Sequence, residues 1–291
     1  MKTRNFLYTL LALALLACGC QKETITVMSY NIRMGVAKDG ENSWQYRCPA
    51  TKAMIEDQSP DIFGVQEAYD FQVAYIEENC PEYASIGVGR EDGVSAGEHM
   101  SIFYRTGRIE LLDWGTYWLS ETPDVPSMGW DAACYRTATW AFMQCKDSGR
   151  KFYYVNTHLD HVGREAQKNG LALIVDNIAG MNPEGYPMIL TGDFNVRSTD
   201  PVLCDLDKVM LSARKTAEKT DDIASFNGWK QPLEKAALGR HLKDGNDADN
   251  AIDYIYYSGF SACPEFQTVT QSYAGVPLIS DHYPVKAILV F

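Results

Sequence analysis

Short apolar runs alternate along the chain with polar segments rich in turn-forming residues. The runs have the length of strands and are enriched in Val, Ile, Tyr and Phe. Those that predict strands are ITVMSYNI from Ile25, IFGVQE from Ile62, SIFYR from Ser101, TWAFMQC from Thr139, KFYYVNTHL from Lys151, PMILTGDFN from Pro187, IDYIYYS from Ile252 and HYPVKAILVF from His282. Helical spacing of apolar residues falls between them, over residues 51–58, 70–79, 164–179 and 200–205. Alternating elements indicate an α/β protein, and the richness in strands favours two packed sheets with helices outside.

The N-terminal segment differs in pattern from the rest of the chain. Basic residues precede a short apolar run that ends at Cys18 and Cys20. The run is too short for a good membrane span, and small residues before a cysteine are typical of a bacterial lipoprotein signal. An ordinary cleaved secretory signal is the alternative. We expect a signal over residues 1–20 with lipidation at Cys18 or Cys20, a short tether over 21–24 and one domain over 25–291. Both kinds of signal place the domain outside the cytoplasm, and the favoured lipid anchor places it in the cell envelope.

Charge limits the partners that the domain can attract over a distance. Acidic residues number 38 against 26 basic ones, which gives a formal net charge of −12. This excess opposes general attraction to the phosphate backbone of a nucleic acid, although it leaves room for a local basic groove. Most of the acidic side chains are expected to form a solvated surface that keeps the protein soluble.

Cysteine spacing argues against a zinc-ribbon site. Eight cysteines, less Cys18 and Cys20, leave six in the domain, and none of the six forms a C-x-x-C pair. An oxidising compartment permits disulfides, but the sequence does not choose among the possible pairings. We interpret the six as small core residues or as bridges of unassigned pairing, and we expect no catalytic thiol.

Polar residues interrupt the apolar strands where those strands begin or end. They are Asn31, Glu67, His158, Asp193, Asn195, Asp253, Asp281 and His282. Burying any of them near a core requires a partner, and strands lying side by side would make the partners one another or a metal ion. Carboxylate and amide oxygens are hard ligands suited to Mg²⁺ or Mn²⁺, and histidine adds a group that changes charge near neutral pH. Together they predict metal-assisted attack of water on a phosphate ester.

Six short motifs along the chain contain these polar residues. They are SYNIR (29–33), QE (66–67), NTHLD (156–160), TGDFN (191–195), IDYIY (252–256) and SDHYPV (280–285). In this order they resemble the motifs of the endonuclease/exonuclease/phosphatase superfamily, and the chain is similar in length to its compact bacterial members. The resemblance implies a four-layer α/β sandwich, with two mixed β-sheets packed face to face and helices on both outer faces. It also implies a divalent-metal-dependent phosphoric ester hydrolase.

The resemblance assigns one group of residues to the metal. Glu67 matches the central metal carboxylate, Asn31 is a ligand or orienter beside it, and Asp281 is a second carboxylate on the metal side. The cofactor implied is Mg²⁺ or Mn²⁺, with the number of ions left open.

A second group of residues is assigned to the chemistry. Asp193 and Asn195 resemble the pair that positions the attacking water and the scissile phosphate. His282 resembles a general base or phosphate-stabilising histidine that is oriented by Asp253, and His158 resembles a histidine that stabilises charge in the transition state. The implied reaction is one-step hydrolysis in which Asp193 or His282 activates water, with no covalent enzyme intermediate.

Candidate substrate contacts lie outside the motifs. In the segment 117–140, prolines and a glycine predict an ordered loop. Arg136 can offer a bidentate phosphate contact and Trp130 can wall a pocket or stack on a ring. The alternative is that Trp130 is a core anchor and Arg136 a buried ion-pair partner. Arg164 and Arg197, which follow two of the motifs, are comparable candidates for a second phosphate.

Three functions are compatible with the sequence. The favoured one is a phosphoesterase that acts on a phosphorylated small molecule or lipid headgroup, because acidic charge and a lipid anchor suit scavenging at an envelope. A secreted nuclease is the second, and a contiguous basic groove beside the metal cleft would support it. A non-catalytic binding module is the third, but the intact set of charged residues argues against it. No protein partner is inferred, and membrane contact would come through the lipid.

Overall fold

A computed structural model describes residues 23–230 and 251–291. The expected signal over residues 1–20, with Cys18 and Cys20, lies outside the described residues. Of the expected tether, Glu23 is described without regular structure, and Thr24 is already the first residue of a strand. No helix in the described part of the chain is long and apolar enough to cross a bilayer.

Fourteen strands are described in these two stretches. They are β1 (Thr24–Asn31), β2 (Ile62–Gln66), β3 (Ala68–Tyr69), β4 (Tyr83–Ile86), β5 (Glu98–His99), β6 (Ile102–Arg105), β7 (Ile109–Trp118), β8 (Thr137–Cys145), β9 (Lys151–His158), β10 (Met188–Asp193), β11 (Leu211–Ser212), β12 (Asp253–Ser258), β13 (Ala262–Thr268) and β14 (Val285–Val290). The helices are α1 (Trp44–Gln58), α2 (Asp70–Asn79), α3 (Arg164–Met181), α4 (Leu206–Val209) and α5 (Ala213–Thr216), with 3-10 turns at Gly40–Asn42 and Pro201–Cys204.

The strands form two large mixed sheets and one short ribbon. One sheet has the order β13-β14-β1-β2-β6-β4, the other has the order β11-β12-β10-β9-β8-β7, and β3 pairs with β5. In each sheet the central pair is parallel, β1 with β2 and β10 with β9, while β14 and β12 run antiparallel beside them. The parallel pairs direct the carboxyl ends of four strands to the same side of the domain.

Alternating side chains of the strands build three cores. Between the sheets, Val27 of β1 belongs to the same buried cluster as Tyr154 and Ile255 of the other sheet. On the outer face of the first sheet, Met28 belongs to a cluster with residues of α1 and α2. A third cluster joins Leu190 of β10 to residues of α3. Both faces of each sheet are therefore covered, which explains the nearly unbroken apolar runs and confirms the predicted sandwich.

Some elements differ from the prediction. Helix α1 begins at Trp44 rather than at residue 51, and it contains Pro49. The carbonyl that Pro49 cannot bond belongs to Gln45, and the Cys48 thiol donates to it over 3.7 Å. The sequence pattern also missed β7, whose central residues are largely exposed at a sheet edge and so lack an apolar run. The predicted helix at 200–205 is a 3-10 turn followed by α4.

The six cysteines of the described residues are free thiols. They are Cys48, Cys80, Cys134, Cys145, Cys204 and Cys263. Cys80 lies in the core under α1 and α2, and Cys145 and Cys263 lie between the sheets. These three fill core space, as one of the two interpretations of the sequence expected.

Candidate active site

Strand register brings the predicted residues to one rim of the sandwich. In the second sheet Asp193 at the end of β10 is paired with His158 on one side and with Asp253 on the other. In the first sheet Asn31 ends β1 opposite Gln66, and Glu67 follows directly. Because the two sheets face each other, these strand ends enclose a shared polar site.

Asn31 connects the two halves of the site. Its Nδ2 donates to Glu67 Oε1 and to Asp193 Oδ2, each over 3.0 Å, so one buried amide bridges the sheets. Its Oδ1 accepts from the backbone N–H of Arg33 at 3.0 Å. Glu67 has a φ of 60°, which is the left-handed region, and its Oε2 accepts from the backbone N–H of Met34 at 3.1 Å. The carboxylate of Glu67 is thus fixed from both sides.

His282 is held by a buried carboxylate. Its Nδ1 donates to Asp253 Oδ2 at 2.8 Å, which leaves Nε2 at 3.7 Å from Asp193 Oδ2. Burial alone would lower the pKa of His282, but the carboxylates of Asp253 and Asp193 raise it to about 10. Burial and the charge of Asp253 raise the pKa of Asp193 to about 7. His282 is therefore an imidazolium at neutral pH, and Asp193 takes up a proton more readily than an exposed aspartate does.

His158 is held in the opposite charge state. Burial, together with the positive charges of Arg136 and Arg90, lowers its pKa well below the usual range. Its Nε2 accepts from Asn195 Nδ2 at 2.9 Å, so the proton of the neutral ring belongs on Nδ1. That atom faces Glu98 Oε2 at 3.9 Å. The site therefore contains one neutral and one cationic histidine.

The donor set on the first sheet fits a hard divalent cation. Glu67 and Asp281 offer carboxylate oxygens beside the amide of Asn31, and no thiol or imidazole is needed. Burial and the nearby charge of Glu67 raise the pKa of Asp281, so a cation beside this carboxylate would favour its charged form. Ligand atoms of Asp193, Asp253 and His282 also lie within 4.8 Å of one another. The arrangement offers a place for one ion, with a second acidic group beside it.

A cavity of about 480 Å³ opens over these residues. Its lining includes Glu67, Asp281, His158, Asn195 and His282, together with Arg33, Met34, Arg90, Glu98, Cys134, Arg136, His161 and Phe226. The cavity is large enough for a small phosphorylated molecule.

Of the four predicted substrate contacts, one lines the cavity and three do not. Arg136 lines the cavity; it is also buried and paired with Asp160 at 3.3 Å, and its Nη2 donates to His161 Nδ1 at 2.9 Å. Of the described residues, Trp130, Arg164 and Arg197 are not among those lining the cavity. Arg164 pairs with Asp200 at 2.9 Å and lines a separate groove between α3 and α4.

Sequence reasoning missed several residues of the cavity wall. Glu98 is buried and forms a two-point ion pair with Arg90, at 2.7 and 2.8 Å. It stands in a two-residue strand, where no apolar run marks it. Phe226 faces His282 edge-on at 5.0 Å, and Arg33 was seen only as the last letter of a motif. The motif SYNIR could have indicated Arg33, because a charged side chain at its end directly follows a buried strand.

Comparisons with known proteins agree with one another. The model of the Endonuclease/Exonuclease/phosphatase family matches residues 28–282. A solved structure of mannosyl-6-phosphatase from Bacteroides thetaiotaomicron is 34% identical, with a TM-score of 0.84, over 92% of this chain and 100% of that chain. An endonuclease/exonuclease/phosphatase from Bacteroides vulgatus is 37% identical, with a TM-score of 0.81, over 92% of this chain and 99% of that one. An uncharacterised protein of Acanthamoeba polyphaga mimivirus is 27% identical over 84% of this chain and 91% of its own length.

Proposed function

The chain belongs to the endonuclease/exonuclease/phosphatase family of divalent-metal-dependent phosphoester hydrolases, and we propose that it hydrolyses a phosphate mono- or diester of a small metabolite or lipid headgroup. The observation that carries this proposal is the cavity of about 480 Å³, which joins the acidic site to a polar wall. Similarity to a mannosyl-6-phosphatase adds support for a small phosphorylated substrate.

The charge of the cavity wall favours a small substrate over a nucleic acid. Each arginine of the wall is paired with a carboxylate: Arg33 with Asp39, Arg90 with Glu98 and Arg136 with Asp160. A polyphosphate backbone is bound by cations that are free to neutralise it along a track. Paired arginines instead offer hydrogen-bond donors with little net positive charge, which suits one phosphate on a largely neutral molecule. The net charge of −12 points the same way.

The proposed chemistry is direct attack of water at phosphorus: a P–O bond to the water oxygen forms as the P–O bond to the leaving oxygen breaks in line, and the leaving oxygen takes a proton from solvent. Asp193, placed between the two histidines, accepts the proton of the attacking water. Imidazolium His282, oriented by Asp253, donates from Nε2 to a phosphate oxygen. Both amide hydrogens of Asn195 are already donated, to His158 Nε2 and to the Leu159 carbonyl, so Asn195 acts by positioning this wall of the site. His158 keeps its proton on Nδ1, and its Nε2 holds the Asn195 amide in place.

Mg²⁺ or Mn²⁺ held by Glu67 and Asp281, with Asn31 beside them, would supply positive charge against the phosphate oxygens. The requirement for such an ion agrees with the oxygen-rich donor set. Asp281 is also an acid whose burial, beside the charge of Glu67, favours a cation close to it.

We further propose that residues 1–20 form a lipoprotein or secretory signal, that Cys18 or Cys20 carries a lipid, and that the enzyme acts in the cell envelope outside the cytoplasm. The support is the charged, apolar and small-residue order of the sequence. Metabolic labelling with a radioactive fatty acid tests it: label lost in the Cys18→Ser/Cys20→Ser double variant is expected, and unlabelled wild-type protein would contradict it.

Product release from a substrate panel tests the enzymatic proposal. The panel holds sugar phosphates, mononucleotides, inositol phosphates, phospholipids and single-stranded or duplex DNA and RNA, each with Mg²⁺, Mn²⁺ or EDTA. We expect release from a small phosphate ester that is abolished by EDTA and by His282→Ala. Arg150→Ala, an exposed change on another part of the surface, should keep full activity. Preferential cleavage of nucleic acid would favour the nuclease, and no hydrolysis by metal-loaded protein would favour the binding module.

A further inference from the structure

Arg33 occupies an unusual backbone position beside the carboxylates of the site. Its φ of 61° lies in the left-handed region, which residues with a side chain rarely adopt. Two hydrogen bonds hold the turn. The backbone N–H of Arg33 donates to Asn31 Oδ1 at 3.0 Å, and Gln72 Nε2 donates to the Arg33 carbonyl at 3.1 Å. The surrounding hydrogen bonds therefore maintain a strained residue at this place.

The guanidinium group of Arg33 is fixed in orientation. Its Nε and Nη2 donate to the two oxygens of Asp39 at 2.9 and 3.1 Å. This planar two-point pair leaves Nη1 directed elsewhere. Nη1 lies 3.9 Å from Glu67 Oε2 and 3.7 Å from Asp281 Oδ2. The side chain is 26% exposed, and it also lines the cavity.

These distances exceed a hydrogen bond but permit a strong charge interaction. Arginine keeps its proton at every accessible pH, so the positive charge is permanent. The same permanent charge stands beside any ion that Glu67 and Asp281 bind.

We propose that Arg33 sets the affinity of the site for its divalent cation, by compensating Glu67 and Asp281 when the ion is absent and by opposing the ion when it binds. This inference rests on the proposed metal site. The charge of Arg33 then has two opposite effects: it stabilises the protein when the ion is absent, and it weakens metal binding. Asp39 reduces both effects without cancelling them, because it is paired on the far edge of the guanidinium.

Calorimetric titration with Mn²⁺, in the absence of substrate, tests the proposal on the full chain. Arg33→Met keeps the length of the side chain and removes its charge; its dissociation constant for Mn²⁺ should be about tenfold lower than that of the wild type. Arg33→Lys keeps a charge and should stay close to the wild type. Arg150→Met removes an exposed positive charge elsewhere and should also bind Mn²⁺ with unchanged affinity.

Thermal unfolding in EDTA and in saturating Mn²⁺ gives a second readout. Arg33→Met should unfold at a lower temperature than the wild type in EDTA. Adding Mn²⁺ should raise the unfolding temperature of this variant by more than it raises that of the wild type. If this variant folds only with Mn²⁺, release of the ion to excess chelator should be slower than from the wild type. Equal or weaker Mn²⁺ binding by Arg33→Met would overturn the inference. Wild-type protein that binds no Mn²⁺ would instead contradict the metal site of the proposed function.

Discussion

The Nδ1 atom of His282 lies 2.8 Å from Oδ2 of Asp253, and both side chains are more than nine-tenths buried. The carboxylate fixes which nitrogen of the ring faces Asp193 and stabilises the imidazolium form. Asp253→Asn should therefore lower kcat/KM by about 100-fold or more, because the amide can hold the ring without stabilising its charge. Steady-state kinetics on the substrate found in the panel measures this loss. Asp205→Asn, an exposed acid paired with Lys208, is the matched control, and equal rates for both variants would contradict the role of Asp253.

Glu98 is expected to act through His158. Its carboxylate faces the Nδ1 atom that carries the proton of the neutral ring, so Glu98→Gln should lower kcat by about tenfold with little change in Mn²⁺ affinity. The amide still accepts from Arg90, but the lost charge should also lower the free energy of unfolding by about 1–3 kcal/mol. Kinetics, Mn²⁺ titration and urea unfolding separate these effects. A variant with full kcat and reduced stability would make Glu98 a purely structural residue.

His99 gives the metal-free protein a pH-dependent stability. Burial lowers the pKa of this histidine below its usual 6.5, and its Nε2 lies 3.3 Å from the Ser95 carbonyl. As pH falls below about 6.5, the unfolded chain takes up the proton first, so stability present at higher pH is lost. Urea unfolding in EDTA at pH 7.5 and 5.5 should show a smaller loss for His99→Gln than for the wild type. The other titrating groups are the same in both proteins, so an equal loss would exclude His99.

Gly64 of β2 marks a place where the two sheets approach too closely for a side chain. A Cβ atom there would lie 2.3 Å from Asn156 Oδ1 and 2.8 Å from Thr191 Oγ1, both on the facing sheet. Gly64→Ala should lower the free energy of unfolding by about 1–3 kcal/mol. Gly107→Ala meets no atom within 4 Å and should change it by less than about 0.5 kcal/mol. Denaturant unfolding compares them, and equal stabilities would mean that the sheets separate without cost.

Hydrogen bonds next to Gly64 connect the sheets beneath the site. Gln66 Nε2 donates to Asn156 Oδ1 at 2.7 Å, and Asn156 Nδ2 donates to the Val65 carbonyl at 2.8 Å. Displacing Asn156 should therefore also disturb the neighbouring Glu67. Gly64→Ala is expected to reduce kcat as well as stability, whereas Gly107→Ala should leave kcat unchanged.

The sequence by itself determined the buried strands, the sandwich and the residues at the strand ends. Apolar runs and polar terminal residues are local properties, and a strand buried on both faces needs a continuous apolar run wherever it lies. Asn31, Asp193 and His158 could therefore be identified before their distances were known.

Only the tertiary structure decided which of the remaining charged residues meet at the site. Arg136 lines the cavity although no motif adjoins it in sequence, whereas Arg164 closely follows the NTHLD motif and lines another groove. Glu98 reaches His158 from a strand of two residues, and Arg33 reaches Asp281 across nearly the whole chain. Such neighbours are set by how the two sheets and their loops pack, and no local pattern records a contact between residues so far apart in the chain.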